Sequence, residues 1–143
     1  MVIDSYSTVP YKKKQGEAQG KSAPRAQFDF NTVGHWDAEE DDGLAFAMLT
    51  GDFNPIHTIK AVGKRTRFKS CILHGFGQLA RTWESLLQAG YAVSDLDVRW
   101  IRPLPLPNPH MQVQASTGPD SEGYTQLRLA SADGTLHMVG RFK

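Results

Sequence analysis

The chain has 143 residues, 40% of them apolar and 22% charged, and a formal net charge of +1. This is the length of one domain, with enough chain to bury a core, and the charge is too small to point to nucleic acid or an anionic membrane. Cys71 is the only cysteine, which excludes an internal disulfide and is compatible with a reducing compartment.

The first 27 residues stand apart. The run YKKKQGEAQGKSAPR, Tyr11 to Arg25, is rich in Lys, Gly, Gln, Ser and Pro and has almost nothing apolar to bury. Its three consecutive lysines suggest a basic targeting segment, but a solvated, flexible tail is the simpler reading, free to lie along a partner subunit. Residues 28–143 are then the folded domain. No apolar run approaches the roughly 18 residues of a membrane helix. The N-terminus lacks the apolar core of a secretory signal, so a soluble cytoplasmic protein is expected.

AQFDFNTV, Ala26 to Val33, alternates Phe28, Phe30 and Thr32 against polar residues and reads as a strand. HWDAEEDDGLAFAML follows. Its acidic run suits the first turn of a helix, where the dipole favours negative charge. Leu44, Ala47 and Met48 give that helix a short apolar face, and Gly51 suits its stop. Further on, LHGFGQLARTWESLLQAG places Phe76, Leu79, Ala80, Trp83, Leu86 and Leu87 at helical spacing, with Gly90 to end the helix.

The remainder reads as strands. LDVRWI alternates Leu96, Val98 and Trp100, and RPLPLPNP is a turn or edge that cannot lie inside a central strand. MQVQA, YTQLRLA and TLHMVGRF follow, separated by turns at GPDSEG and ADG. One long apolar helix among about five antiparallel strands is an α+β arrangement with the sheet covering the helix.

Between the two helices lies LTGDFNPIHTIK, Leu49 to Lys60. Gly51 and Pro55 force a bent, non-helical path. Asp52 and His57 can therefore converge, whereas positions five apart in a straight strand face opposite ways. A carboxylate beside an imidazole is a natural acid/base pair that can hold a water and move its protons. Asn54 offers a further hydrogen bond. The structural alternative is an Asx-turn, with Asp52 and Asn54 bonding local backbone.

His74-Gly75 opens the long helix, where unpaired N–H groups and partial positive charge could stabilise an oxyanion. Gly75 would let a ligand oxygen approach the backbone; taken alone, close packing by Gly75 and Gly77 is the simpler account. His57, His74 and the acids lack the tight spacing of a metal motif such as HExxH, so no metal is expected.

Taken together, TGDFNPIHTIKAVGKRTRFKSCILHGFGQLA, Thr50 to Ala80, resembles the signature of the MaoC-like dehydratases, including the (R)-specific enoyl-CoA hydratases. The matching positions are Thr50, Gly51, Asp52, Asn54, Pro55, Ile56, His57, Ala61, Phe68, Ile72, Leu73, His74 and Gly75. Phe76 replaces the usual Met after His-Gly, no Asp-Pro follows His57, and the run from Lys60 to Lys69 is unusually basic.

The resemblance implies a hotdog fold, a homodimer or larger assembly, a place in fatty-acid metabolism and an acyl-CoA or acyl-carrier-protein thioester as substrate. No cofactor is implied, because coenzyme A is part of the substrate. Asp52 and His57 match the catalytic pair, Asn54 the supporting polar residue, and Gly75 the amide that binds the thioester carbonyl. His74 and Phe76 are expected to border the substrate. Lys64, Arg65, Arg67 or Lys69 could meet the phosphates of coenzyme A. The implied activity is hydration of a trans-2-enoyl thioester. A thioesterase, or a non-catalytic hotdog subunit that binds acyl thioesters, is the alternative.

Overall fold

The computed structural model describes residues 28–143, so the N-terminal tail expected over 1–27 lies outside the described residues. The elements in order are β1 (Phe30–Ala38), α1 (Asp42–Thr50), α2 (Pro55–Thr58), α3 (Lys60–Gly63), β2 (Ile72–Leu73), α4 (Gly75–Gln88), β3 (Leu96–Trp100), β4 (Leu104–Pro105), β5 (Asn108–Pro119), β6 (Thr125–Ala130) and β7 (Leu136–Phe142). Five strands form one antiparallel sheet in the order β1-β5-β6-β7-β3, and β2 pairs with β4 in a small ribbon. The α+β reading therefore holds.

The alternation in β5 works as its sequence suggests. Met111, Val113 and Ala115 are buried, and they meet Leu127, Leu129, Met138 and Phe142 from β6 and β7 in a single core. Gly123 and Gly134 close the two hairpins with positive φ of 82° and 83°. The proline-rich stretch forms the two-residue strand β4, and its last two residues, Asn108 and Pro109, open β5, where a proline at the start of a strand is tolerated.

The first strand runs later than expected, ending at Ala38 rather than Val33. Its register shifts between Thr32 and Gly34, which breaks the simple alternation. Thr32 consequently faces solvent, while Val33 and Trp36 pack against the core.

Both helices turn different faces inward from those their hydropathy suggested. In α1 only Gly43 and Ala47 are buried; Leu44 and Met48 are exposed, Met48 at 72%. In α4 the buried residues are Gly77, Gln78, Thr82, Ser85 and Leu86, so of the expected apolar set only Leu86 is fully buried. The reason is a close approach to β1. A Cβ on Gly34 would lie 2.7 Å from the Ser85 Cβ, so only a small residue fits on each side. Phe76, Ala80 and Leu87 consequently form an outward flank, with Leu79 and Trp83 half-buried beside it. No helix among the described residues is long and apolar enough to cross a membrane.

Candidate active site

The bend at residues 51–54 forms as Gly51 predicts. Gly51 caps α1 in the left-handed region at φ 81°, and its N–H donates to the Ala47 carbonyl. One expectation is corrected here: the path beyond the bend is helical. Pro55 occupies the first turn of α2, a position where its missing N–H costs nothing, and His57 rides on that single turn. Asn54 caps it, its Oδ1 accepting from the Ile56 N–H at 3.3 Å. Asn54 thus spends its side-chain oxygen on holding the His57 turn. The Asx reading is also present: Asp52 Oδ1 accepts from the Asn54 N–H at 3.3 Å.

Asp52 and His57 converge, and His74 joins them. One side-chain donor atom from each of the three lies within 4.8 Å of the others. His57 Nδ1–H donates to the Ile72 carbonyl at 2.7 Å, which leaves Nε2 with the lone pair in the neutral ring. Burial chiefly, and the neighbouring His74 to a smaller degree, hold the His57 pKa below its ordinary 6.5; the Ile72 hydrogen bond and the Asp52 carboxylate pull the other way. The Asp52 side chain is 59% exposed, and its Oδ2 stands 3.7 Å from His74 Nε2.

His74 is 3% exposed. Its ring stacks on His57 with centroids 3.8 Å apart, and its Nε2–H donates to the Asp52 carbonyl at 3.0 Å. Two imidazoles and a carboxylate are a donor set that suits a transition metal. Here, however, the His74 nitrogen that faces Asp52 carries a proton and is already engaged.

These residues line a cleft of about 220 Å³ together with Phe46, Thr50, Gly75 and Phe76. Gly75 is the first residue of α4, where the N–H groups have no intrahelical acceptor. Its lack of a side chain has a packing cause: a Cβ there would stand 2.9 Å from the Trp100 indole, whose Nε1–H donates to the Gly75 carbonyl at 3.0 Å. Phe76 is half exposed at the rim and packs edge-on against Trp100 at 5.6 Å.

The basic residues gather elsewhere. Lys64 and Lys69 line a second cleft with Lys60, Glu40, Ser70 and Cys71; Arg65 and Arg67 line neither cleft. Lys60 is engaged by Glu40 at 3.2 Å and Asp41 at 3.1 Å.

Sequence reasoning missed Phe46 and Thr50 as cleft walls, the Ile72 carbonyl that orients His57, and Gly43, against which His57 packs. Thr50 lay within the quoted motif. A backbone carbonyl carries no side-chain signal, and the close approach at Gly43 is a backbone contact that residue type alone does not reveal.

The family model for the MaoC like domain matches residues 15–117, beginning inside the segment read as a tail. Among solved structures, the chain is similar to the unliganded R-hydratase PhaJ1 of Pseudomonas aeruginosa, with a TM-score of 0.66 and 21% identity over 80% of this chain and 77% of that one. It is also similar to the (R)-hydratase of A. caviae involved in PHA biosynthesis, with a TM-score of 0.64 and 21% identity over 84% and 96%. A MaoC-like dehydratase from Rhodospirillum rubrum gives 0.62 and 17% over 82% and 90%. These likenesses establish the hotdog fold. No curated protein matches significantly in sequence.

Proposed function

The chain belongs to the MaoC-like domain family, and from that premise we propose that it hydrates trans-2-enoyl thioesters reversibly to (3R)-3-hydroxyacyl thioesters, coenzyme A being the expected carrier. The observation that carries this reading is the convergence of the Asp52 carboxylate and the His57 imidazole on one cleft beside the start of α4.

The neutral His57 Nε2 is suited to take a proton from a water that Asp52 holds, as the water oxygen adds to C3. The same pair returns a proton to C2, so H and OH add across the double bond. The Gly75 N–H, aided by the helix dipole, takes the negative charge that develops on the thioester oxygen. Asn54 supports the pair by capping the turn that carries His57. Phe76 borders the acyl group, and Lys64, Arg65 and Arg67 are the candidates for the carrier's phosphates. The scheme uses no metal and no separate cofactor.

A second copy of the chain completes the proposal. Exposed apolar residues stand beside the cleft: Phe76 lines it at 49% exposure, Trp100 packs against Phe76 at 42%, and Phe53 follows Asp52 in the chain at 56%. The outward flank of α4 is apolar, and β3 ends the sheet with no further strand paired to it among the described residues.

The test is loss of conjugated-thioester absorbance with short and long trans-2-enoyl-CoA substrates, using wild type, Asp52→Asn and His57→Ala. Turnover by wild type, reduced about 10²-fold or more in both folded variants, is expected. Release of free thiol would instead identify a thioesterase. Tight binding without either reaction would identify a binding subunit.

A further inference from the structure

His74 takes no proton in the scheme above, yet it is the most deeply buried polar residue lining the cleft. Two contacts converge on it. Its Nε2–H donates to the Asp52 carbonyl, a bond that spans 22 residues of chain. Among the described residues, every other hydrogen bond made by Gly51 to Asn54 reaches a residue no more than four positions away. Such local bonds shape the loop without fixing where it stands against α4. The second contact is the stacking of the His74 ring on His57, with Phe46 also against it at 5.0 Å.

Packing alone does not account for an imidazole here. His74 Nδ1 is buried with no hydrogen-bond partner among the described residues, so its desolvation is not offset there. A phenyl ring would fill the space without that cost. What the imidazole adds is the Nε2–H bond to Asp52.

We propose that His74 is the positioning residue of the acid–base pair, clasping the Asp52 loop through its backbone carbonyl and backing the His57 ring with its face. Both members of the pair are then anchored to one short segment, Asp52 through the His74 side chain and His57 through the Ile72 carbonyl. That segment leads directly into the Gly75 amide. The catalytic consequence rests on the hydratase reading; the clasp itself does not.

Two substitutions separate the contacts. His74→Phe keeps a ring against His57 and removes the donor. His74→Gln removes the ring and keeps a donor near the Nε2 position. Native-state amide exchange over residues 52–57 is read beside exchange in β5 and β6 as an internal control. His74→Phe should speed exchange in the loop about tenfold while the control strands stay protected, the effect of one lost hydrogen bond. His74→Gln should restore protection.

In turnover, His74→Phe should lower kcat about 10²-fold with little change in KM, as misplaced catalytic groups do, and His74→Gln should recover most of it. Loop exchange in His74→Phe equal to wild type, or no better in His74→Gln than in His74→Phe, would overturn the clasp. If His74→Phe does not fold, His74→Gln decides alone: wild-type protection supports the clasp and an unprotected loop refutes it. Absence of wild-type turnover would reject the hydratase reading and leave the exchange result to judge His74.

Discussion

The backbone carbonyl of His57 stands where a side chain on Gly43 would have to go. Gly43 is buried in the first turn of α1, so α1 and the His57 turn are in backbone contact. Gly43→Ala should displace α2, destabilise the protein by about 1–3 kcal/mol through overpacking and lower kcat. Denaturant melts and turnover assays check this. Wild-type stability together with wild-type kcat would show that the contact does not hold His57.

The His57 pKa, held below 6.5 chiefly by burial, predicts where activity fails in acid. The unprotonated imidazole is the form that accepts a proton, so activity is full above the folded pKa and is lost as pH falls through it. The acid limb of kcat/KM should therefore have its midpoint below 6.5. A midpoint at or above 6.5 would assign that limb to another group or give His57 the opposite role.

A second histidine governs stability rather than turnover. Ser131 Oγ–H donates to His137 Nε2 at 2.6 Å, and His137 Nδ1–H donates to the Pro103 carbonyl at 3.0 Å. Both side chains are buried, and burial lowers the His137 pKa from 6.5. The unfolded chain binds the proton more readily than the folded one, so stability is full above 6.5 and declines as pH falls from there towards the folded pKa. Ser131→Ala leaves Nε2 unpaired and should cost about 1–3 kcal/mol at neutral pH. Chemical denaturation across pH 5 to 8 measures both effects; flat stability in wild type would remove His137 from the account.

The outward flank of α4 predicts an assembly. Leu87, 51% exposed, lies on it with Phe76 and Ala80. Leu87→Glu should weaken self-association by about tenfold, the scale of an interface anchor, with secondary structure unchanged. Light scattering across a dilution series reads this. A wild type that is monomeric at high concentration would show that this flank meets something else.

Much of the site was legible because its constraints are local. Gly51 and Pro55 each dictate a backbone conformation, so the bend at Asp52 followed from residue type. The sheet followed from alternation such as Met111, Val113 and Ala115. The inward face of α4 did not follow. Hydropathy identifies residues that avoid water, whereas the α4–β1 contact is set by how closely Gly34 and Ser85 let two backbones approach. His74 was read as a substrate contact because the sequence could not show a bond across 22 residues. Charge alone suggested Lys64, Arg65, Arg67 and Lys69 as phosphate contacts, but Lys64 and Lys69 line a second cleft beside the ion-paired Lys60, and Arg65 and Arg67 line neither cleft.

Trp100 places an indole directly over the first residue of α4, bonded to the Gly75 carbonyl and touching Phe76. The molecule therefore carries its own fluorophore at the point where the thioester oxygen is proposed to dock. Charge arriving beside that peptide changes the field on the indole, so tryptophan emission gives an optical titration of occupancy without any label. Replacing Trp36 and Trp83, the other two emitters, with Phe would leave Trp100 as a single reporter.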